Sequence, residues 1–248
     1  MVSVETFLLP SAYLPIAGIL GLLVGSFLNV VITRLPQMME AAWKRECASL
    51  NGDQTEAQAD KLSLAWPPSR CNHCKAPIRA WQNIPVISYL LLRGRCASCQ
   101  KSISLQYPLV ELLSAGFTVL ALWRFGLGTA GIAAVLLSWG LLAASFIDLR
   151  TRLLPDDITL PFLWLGLLLN TAGVFTDLGS AVIGAAAGYM SLWLIHHGFR
   201  LLTGKEGMGY GDFKLFALFG AWLGWQQLPM IVLLSSLVGA IAGGILLA

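Results

Sequence analysis

Long apolar stretches joined by short polar connections make up most of this chain. A helix needs about 20 apolar residues to cross the hydrocarbon core of a membrane. Seven stretches approach or reach that length, at residues 13–33, 105–123, 129–149, 158–175, 178–202, 213–225 and 229–247. The stretch at 213–225 is short for a full crossing at about 1.5 Å rise per residue. The pattern predicts an all-α polytopic membrane protein with about seven transmembrane helices.

Residues 34–104 interrupt this apolar pattern. Residues 40–61 are polar and of mixed charge, and residues 66–101 are rich in Pro, Cys, Arg and Trp. Arg34, Leu35 and Pro36 are expected to end the first helix, because proline lacks the backbone N–H that a helix interior requires. We predict a first transmembrane helix at 1–33, a cytoplasmic domain at 34–104 with a cysteine module at 66–101, and a membrane-embedded core at 105–248.

Composition and charge placement add an orientation. Hydrophobic residues make up 56% of the chain and charged residues 12%, which excludes an ordinary soluble domain. The net charge of +3 is small, and its placement matters more than its sum. We expect membrane lipid and no nucleic acid among the partners. The first apolar run lacks the flanks of a cleaved signal peptide and is expected to remain as a helix. All Lys and Arg except Arg124 lie in loops that alternation places on one side, which predicts that this side is cytoplasmic and that the amino terminus is outside.

The cysteine module contains two C-x-x-C pairs separated by 21 residues. Two residues between cysteines let both thiolates of one turn bind the same metal, and two such turns complete a tetrahedral zinc site. The alternative is a pair of disulfides, which the predicted cytoplasmic location argues against. His73 could replace one thiol, and Cys47 is left unassigned. The predicted ligands of a structural Zn²⁺ are Cys71, Cys74, Cys96 and Cys99.

Two aspartates at the predicted membrane edge are candidates for chemistry. Asp148 is expected at the C-terminal end of a helix, where the macrodipole disfavours negative charge, although it could reach water and pair with Arg150 or Arg152. Asp212 follows a run of alternating glycines and precedes an apolar helix. It could be an ordinary helix cap, but capping alone does not require those glycines.

Two acids from different spans on one side of a membrane suit an aspartyl protease. One carboxylate takes a proton from water while the other, protonated, polarises the scissile carbonyl. The helix-end argument predicts that Asp212 is ionised and that Asp148 holds the proton. We also predict that Gly209, Gly211, Lys214, Glu111 and Asp156 lie near the substrate.

With these residues in place, the chain resembles the bacterial type IV prepilin peptidases, which are bifunctional leader peptidases and N-methyltransferases. The resemblance covers nearly the full length. It is carried by residues 25–36, the two C-x-x-C pairs, residues 83–89 and 107–111, Ile147-Asp148 with Leu154-Pro155-Asp156, and Gly209-Tyr210-Gly211-Asp212-Phe213-Lys214. The family usually has eight spans, whereas seven are predicted here and the chain ends within an apolar run.

The resemblance implies the activity and the site. Members cleave type IV prepilins and type II secretion pseudopilins after the glycine that ends a short basic leader, on the cytoplasmic side of the bacterial inner membrane. They then methylate the new amino terminus with S-adenosylmethionine. Carried onto this chain, the catalytic pair is Asp148 and Asp212, and the four cysteines match a zinc-type motif. The methyl donor's binding residues are unknown, because the chain has no dinucleotide-type glycine fingerprint.

Two rival interpretations come from other classes of protein. A cation- or proton-coupled transporter could use Asp148, Asp212 and Glu111 to relay protons, but it would not need the cysteine module or the G-x-G-D motif. A membrane-anchored zinc scaffold would use both aspartates only as helix caps.

For the peptidase interpretation, the acidic residues Asp156, Asp157 and Glu206 could contact the basic leader of a substrate.

Overall fold

The computed structural model describes residues 13–50, 62–71, 73–205 and 207–247. Within these ranges the regular elements are helices, accompanied by two isolated β-bridges. The α-helices are α1 (Leu14–Leu50), α2 (Ile87–Leu91), α3 (Gln106–Phe125), α4 (Thr129–Thr151), α5 (Asp156–Thr171), α6 (Leu178–Thr203), α7 (Tyr210–Leu223) and α8 (Leu228–Leu247). Short 3₁₀ turns lie at Ala80–Asn83 and Trp225–Gln227. The all-α prediction is confirmed.

Helix α1 does not end at Arg34–Pro36 as expected but continues through Pro36 to Leu50. The sequence that follows Pro36 is rich in Met, Ala, Glu, Lys and Arg, which are strong helix formers. An i,i+4 ion pair of 2.7 Å between Lys44 and Glu40 also supports the extension. The tendency of proline to end a helix is therefore outweighed by the residues on both sides of it.

Five described helical segments are long and apolar enough to cross a membrane: Leu14–Leu50, Gln106–Phe125, Thr129–Thr151, Leu178–Thr203 and Trp225–Ile245. The remaining two predicted spans also form helices, but α5 has 16 residues and α7 has 14. Helices of that length fall short of the roughly 30 Å hydrocarbon core. The five longer helices support a multi-pass membrane protein.

The chain forms two compact units, residues 1–152 and 153–248. In the first unit, α1 packs against α3 and α4. The approach of α1 to α3 is close because Gly21 and Gly25 have no side chain. A Cβ at Gly25 would lie 2.6 Å from the Cα of Glu111, and one at Gly21 would lie 2.6 Å from the Cα of Ala115. Small residues at this interface thus allow the two helix backbones to pack closely.

In the second unit, α7 packs against both α5 and α6. Trp222 of α7 is fully buried, and its indole N–H donates to the carbonyl of Phe162 in α5 over 2.7 Å. Gly188 of α6 allows the α7 backbone to approach, because a Cβ there would lie 2.7 Å from the carbonyl oxygen of Phe216. Both faces of this short helix are therefore held by protein.

Asn170, at the end of α5, is buried with its whole side chain hydrogen-bonded. Its Nδ2 donates to the carbonyls of Ala221 and Trp222 over 2.8 and 3.0 Å. Its Oδ1 accepts the N–H groups of Phe175 and Thr176 over 3.0 and 3.1 Å. One amide thus joins the end of α7 to the connection that leads into α6.

Replacing Asn170 with Ala should lower the free energy of unfolding by about 3 kcal/mol, because four hydrogen bonds are lost and the buried carbonyls of Ala221 and Trp222 lose a partner. Denaturant unfolding in detergent, followed by tryptophan fluorescence, measures the change. Thr171→Ala is the control, since Thr171 is exposed and bonds only to Leu168 of its own helix. Equal effects of the two substitutions would contradict this account of Asn170.

Candidate functional site

The cysteine module brings four sulfur atoms together. The Sγ atoms of Cys71, Cys74, Cys96 and Cys99 all lie within 4.8 Å of one another. The Sγ atoms of Cys71 and Cys99 are 3.9 Å apart. This is close to the roughly 3.8 Å between two thiolates of a tetrahedral zinc site with Zn–S bonds of about 2.3 Å. It is far longer than the disulfide bond length of about 2.05 Å. The geometry confirms that the four cysteines are placed to hold a metal ion.

The module is an internal repeat, a feature that sequence reasoning missed. Each C-x-x-C turn is closed by the same three backbone hydrogen bonds. In the first turn, Cys71 N–H bonds to Ala76, Lys75 N–H to Cys71 and Ile78 N–H to Ser69. In the second, Cys96 bonds to Lys101, Gln100 to Cys96 and Ile103 to Gly94. Lys75 and Gln100 also share a φ near +60°. Both halves share the sequence pattern R-C-x-x-C-x-x-x-I, from which the repeat could have been predicted.

Two of the four thiols have pKa values shifted in opposite directions. Hydrogen bonds from the backbone N–H groups of Cys74 and His73 lower the pKa of Cys71 to about 6. The N–H of Ala76 lowers the pKa of Cys74, but lost solvation and hydrogen bonds with the other sulfurs outweigh it and raise that pKa to about 11. A bound cation would favour the thiolate form of all four ligands.

Asp148 lies in the last turn of α4, with its side chain exposed. Its carbonyl accepts the N–H of Arg152 over 2.7 Å, and Arg152 ends the helix in the left-handed conformation. No ion pair joins Asp148 to a Lys or Arg of the described residues, so the alternative pairing with Arg150 or Arg152 is not seen. Its carboxylate stands where the helix dipole disfavours negative charge.

Asp212 lies in the first turn of α7 and is not the helix cap. The cap position is Gly209, and Asp212 is three residues further on, with its N–H donating to the Gly209 carbonyl over 3.3 Å. The expectation of a capping aspartate is therefore wrong in its register. A carboxylate in a first turn is still favoured by the helix dipole. Its side chain is half-buried.

The residues around Asp212 have distinct surroundings. Lys214 Nζ contacts both carboxylate oxygens of Asp156 over 2.8 and 2.6 Å, which joins the first turns of α7 and α5. Gly211 packs on Leu154, whose Cβ would lie 2.9 Å from an added Cβ. Gly209 is more open, since the nearest atom to its added Cβ is Asp212 Oδ2 at 3.9 Å. Of the two glycines, Gly209 leaves more room for another chain.

His196 is a residue that sequence reasoning missed. It lies on α6, is 3% exposed, and neither ring nitrogen has a hydrogen-bond partner. Its ring centroid is 5.5 Å from those of Tyr210 and Phe213, which flank the second glycine and Asp212 of the G-x-G-D motif. Nothing in the spacing along the chain signals this contact, because it depends on how α6 packs on α7.

Glu111 is the remaining predicted site residue, and the structure places it in the first unit beside the cysteine module. It is 7% exposed, and its Oε2 accepts the N–H of Val86 over 2.7 Å. It lines a cavity of about 450 Å³ that also borders Cys71 and Cys96. Asp148, the other acid of interest in this unit, is not among the lining residues.

Two family models match successive parts of the chain. The model of the bacterial peptidase A24 N-terminal domain matches residues 19–125, and that of the type IV leader peptidase family matches residues 135–244. No solved structure gives a significant match.

Relatives named prepilin leader peptidase/N-methyltransferase are similar over most of their length. The one from Stutzerimonas stutzeri is 52% identical over 238 residues, which is 96% of this chain and 82% of the relative. The one from Aeromonas hydrophila is 54% identical over 95% of this chain and 81% of the relative. The one from Neisseria gonorrhoeae is 52% identical over 92% and 80%.

The four-cysteine cluster predicts about one zinc ion per chain in protein purified without chelators. Cys99→Ser should remove most of the metal, because three thiolates leave an open position. Cys47→Ser is the matched control, since Cys47 is exposed on α1 and outside the cluster. Elemental analysis with a thiol titration gives both numbers. A metal-free protein in which all five thiols react would contradict the prediction.

Proposed function

The chain belongs to the type IV leader peptidase family, and we propose that it cleaves prepilin leaders with a water molecule activated by Asp148 and Asp212. The observation that carries this proposal is the near full-length similarity to enzymes named prepilin leader peptidase/N-methyltransferase. Family membership also argues against the transporter and scaffold interpretations. The helix positions of the two aspartates support the choice of catalytic pair.

The two carboxylates have different roles in this proposal. Asp212, favoured as an anion by the N-terminal end of α7, takes a proton from water as the oxygen attacks the scissile carbonyl carbon. Asp148, at the C-terminal end of α4, donates its proton to the carbonyl oxygen. When the resulting intermediate collapses, the C–N bond breaks and the leaving amine takes up a proton. The Lys214–Asp156 pair holds the first turn of α7 in position.

We propose the substrates and the orientation on the same basis. The substrates are type IV prepilins and type II secretion pseudopilins, whose basic leader is cut after a glycine at the cytoplasmic face of the bacterial inner membrane. The basic loops then face the cytoplasm and the amino terminus faces the periplasm. Zinc is a structural ion that holds the two halves of the cysteine repeat together.

The second proposed activity is N-methylation of the new amino terminus with S-adenosylmethionine. The name of the relatives supports it. The donor supplies a methyl group bound to a positively charged sulfur. The chain has to provide a site that excludes water and holds an amine.

The basic leader needs acidic partners on the enzyme. Asp156 is occupied by Lys214, which neutralises its charge. Asp157, the next residue, is exposed in the first turn of α5. Glu206, the third candidate acid, lies outside the described residues. Asp157 is therefore our preferred contact for the leader.

Asp148→Asn and Asp212→Asn should each reduce leader cleavage by at least about 100-fold, since each removes a proton-transfer group. The assay incubates purified enzyme with a prepilin and follows loss of the leader by mass spectrometry. Asp177→Asn is the control, because Asp177 caps α6 by accepting the N–H of Ser180 over 2.8 Å and Asn caps equally well. Full activity in either catalytic variant would exclude the pair.

Asp157→Lys should raise KM for a prepilin roughly threefold to tenfold with little change in kcat, because an exposed charge contributes to binding and not to chemistry. Steady-state kinetics on prepilins with the native leader and with a leader whose basic residues are replaced by Gln test this. The KM effect should vanish with the neutral leader. A loss in kcat of the same size would contradict the assignment.

A further inference from the structure

The cavity beside the cysteine module has the size of a small-molecule site. Its volume of about 450 Å³ lies within the range of about 300–1,000 Å³ that is common for ligand pockets. Its wall is formed by α1, the cysteine module with α2, and the start of α3. Arg34, Arg70 and Lys101 contribute positive charge to the lining, and Glu111 contributes negative charge. Neither proposed catalytic aspartate is among the lining residues.

Two buried oxygen acceptors in the lining have capacity for a further donor. Asn29 is 3% exposed, and its Nδ2 donates to the carbonyls of Gly25 and Tyr107 over 3.3 and 3.0 Å. Its Oδ1 is buried and has no hydrogen-bond partner. A buried acceptor without a partner is unfavourable, so a donor that reached this oxygen would stabilise it.

Glu111 is the second acceptor. Its Oε2 accepts the N–H of Val86, and Ser26 lies beside it in the cavity lining. A carboxylate can accept about four hydrogen bonds, so capacity remains. No Lys or Arg of the described residues forms an ion pair with it.

Arg34 is the positively charged residue of α1 in the cavity lining, and its guanidinium already has hydrogen-bond partners. Arg34 donates to three backbone carbonyls, those of Ser63, Leu64 and Pro67, over 2.9, 3.3 and 2.6 Å. These bonds hold the chain that enters the cysteine module. A buried carboxylate without a cationic partner is costly, and a positively charged ligand would supply that partner.

We propose that this cavity binds a primary ammonium group between the Glu111 carboxylate and Asn29 Oδ1. An ammonium group has three N–H donors and one positive charge, which match these two acceptors. The identity of the ligand rests on the proposed function. N-methylation involves two such groups, the amino terminus released by cleavage and the amino-acid end of the methyl donor. In the second case Arg70 or Lys101 is available for the donor's carboxylate.

A purely structural role for Glu111 has to be separated from this one. Val86 is β-branched and has φ 59°, a conformation that such residues rarely adopt, and its N–H is held by Glu111. Gln at position 111 keeps an oxygen acceptor for Val86 but has no charge. Glu111→Gln therefore preserves the structural contact and removes the ammonium partner. Glu40→Gln is the matched control, since Glu40 is an exposed carboxylate in the same unit.

The test measures ligand binding to the purified full chain by tryptophan fluorescence, with thermal unfolding to confirm that each variant is folded. One arm compares a peptide that begins at the residue after the cleavage site with its N-acetylated form. The other compares S-adenosylhomocysteine with 5′-methylthioadenosine, which lacks the amino-acid part. Wild type and Glu40→Gln should prefer the ammonium-bearing ligand by at least about tenfold in one arm. Glu111→Gln should lose that preference.

The arm in which the preference is lost identifies the source of the ammonium group. The proposal is overturned if wild type shows no preference in either arm, or if Glu111→Gln retains the full preference. Leader cleavage by the same wild-type preparation is measured in parallel. Absence of cleavage would count against the proposed function, whereas the ammonium preference is read independently of it.

Discussion

Every polar group that these helices bury has to find its partner inside the protein, because hydrocarbon provides none. Asn170 shows the constraint fully met, with four hydrogen bonds to backbone groups of its own unit. Asn29 and His196 do not meet this requirement, since each has a buried polar atom without a hydrogen-bond partner. The satisfied group holds the structure together. The unsatisfied ones lie beside a cavity and beside the G-x-G-D motif, where a ligand or substrate would be expected to act.

The cysteine module follows a different rule, because little apolar core supports it. Its two halves repeat the same hydrogen-bonded turn, and each half presents two sulfurs to a common point. A metal ion at that point would replace the missing core and supply folding energy. Arg34 then ties the entrance of the module to α1 through three carbonyls. The cavity wall is thereby built from α1 on one side and the cysteine module on the other.

The predictions that the structure corrects share one cause, since each follows a local rule at a place where neighbouring residues compete with it. Pro36 predicts the end of α1, but strong helix formers beyond it extend the helix to Leu50. The position of Asp212 before an apolar run predicts a cap for α7, but Gly209 takes that position and moves Asp212 into the first turn. The family and the four metal-ligand candidates are predicted correctly, because motif spacing and cysteine pairs are properties of the chain itself.

The sequence alone determined where the apolar helices lie, the cysteine pairs and the candidate aspartates, since hydrophobicity and residue spacing are local properties. It could not determine which faces of the helices meet. These helices are apolar on nearly all sides, so no hydrophobic stripe marks the packed face. Only the tertiary structure paired Lys214 with Asp156, 58 residues away, and brought Glu111 and Asn29 to one cavity. The position of Glu111 beside Asn29 depends on the close approach of α1 to α3, which Gly25 permits at Glu111.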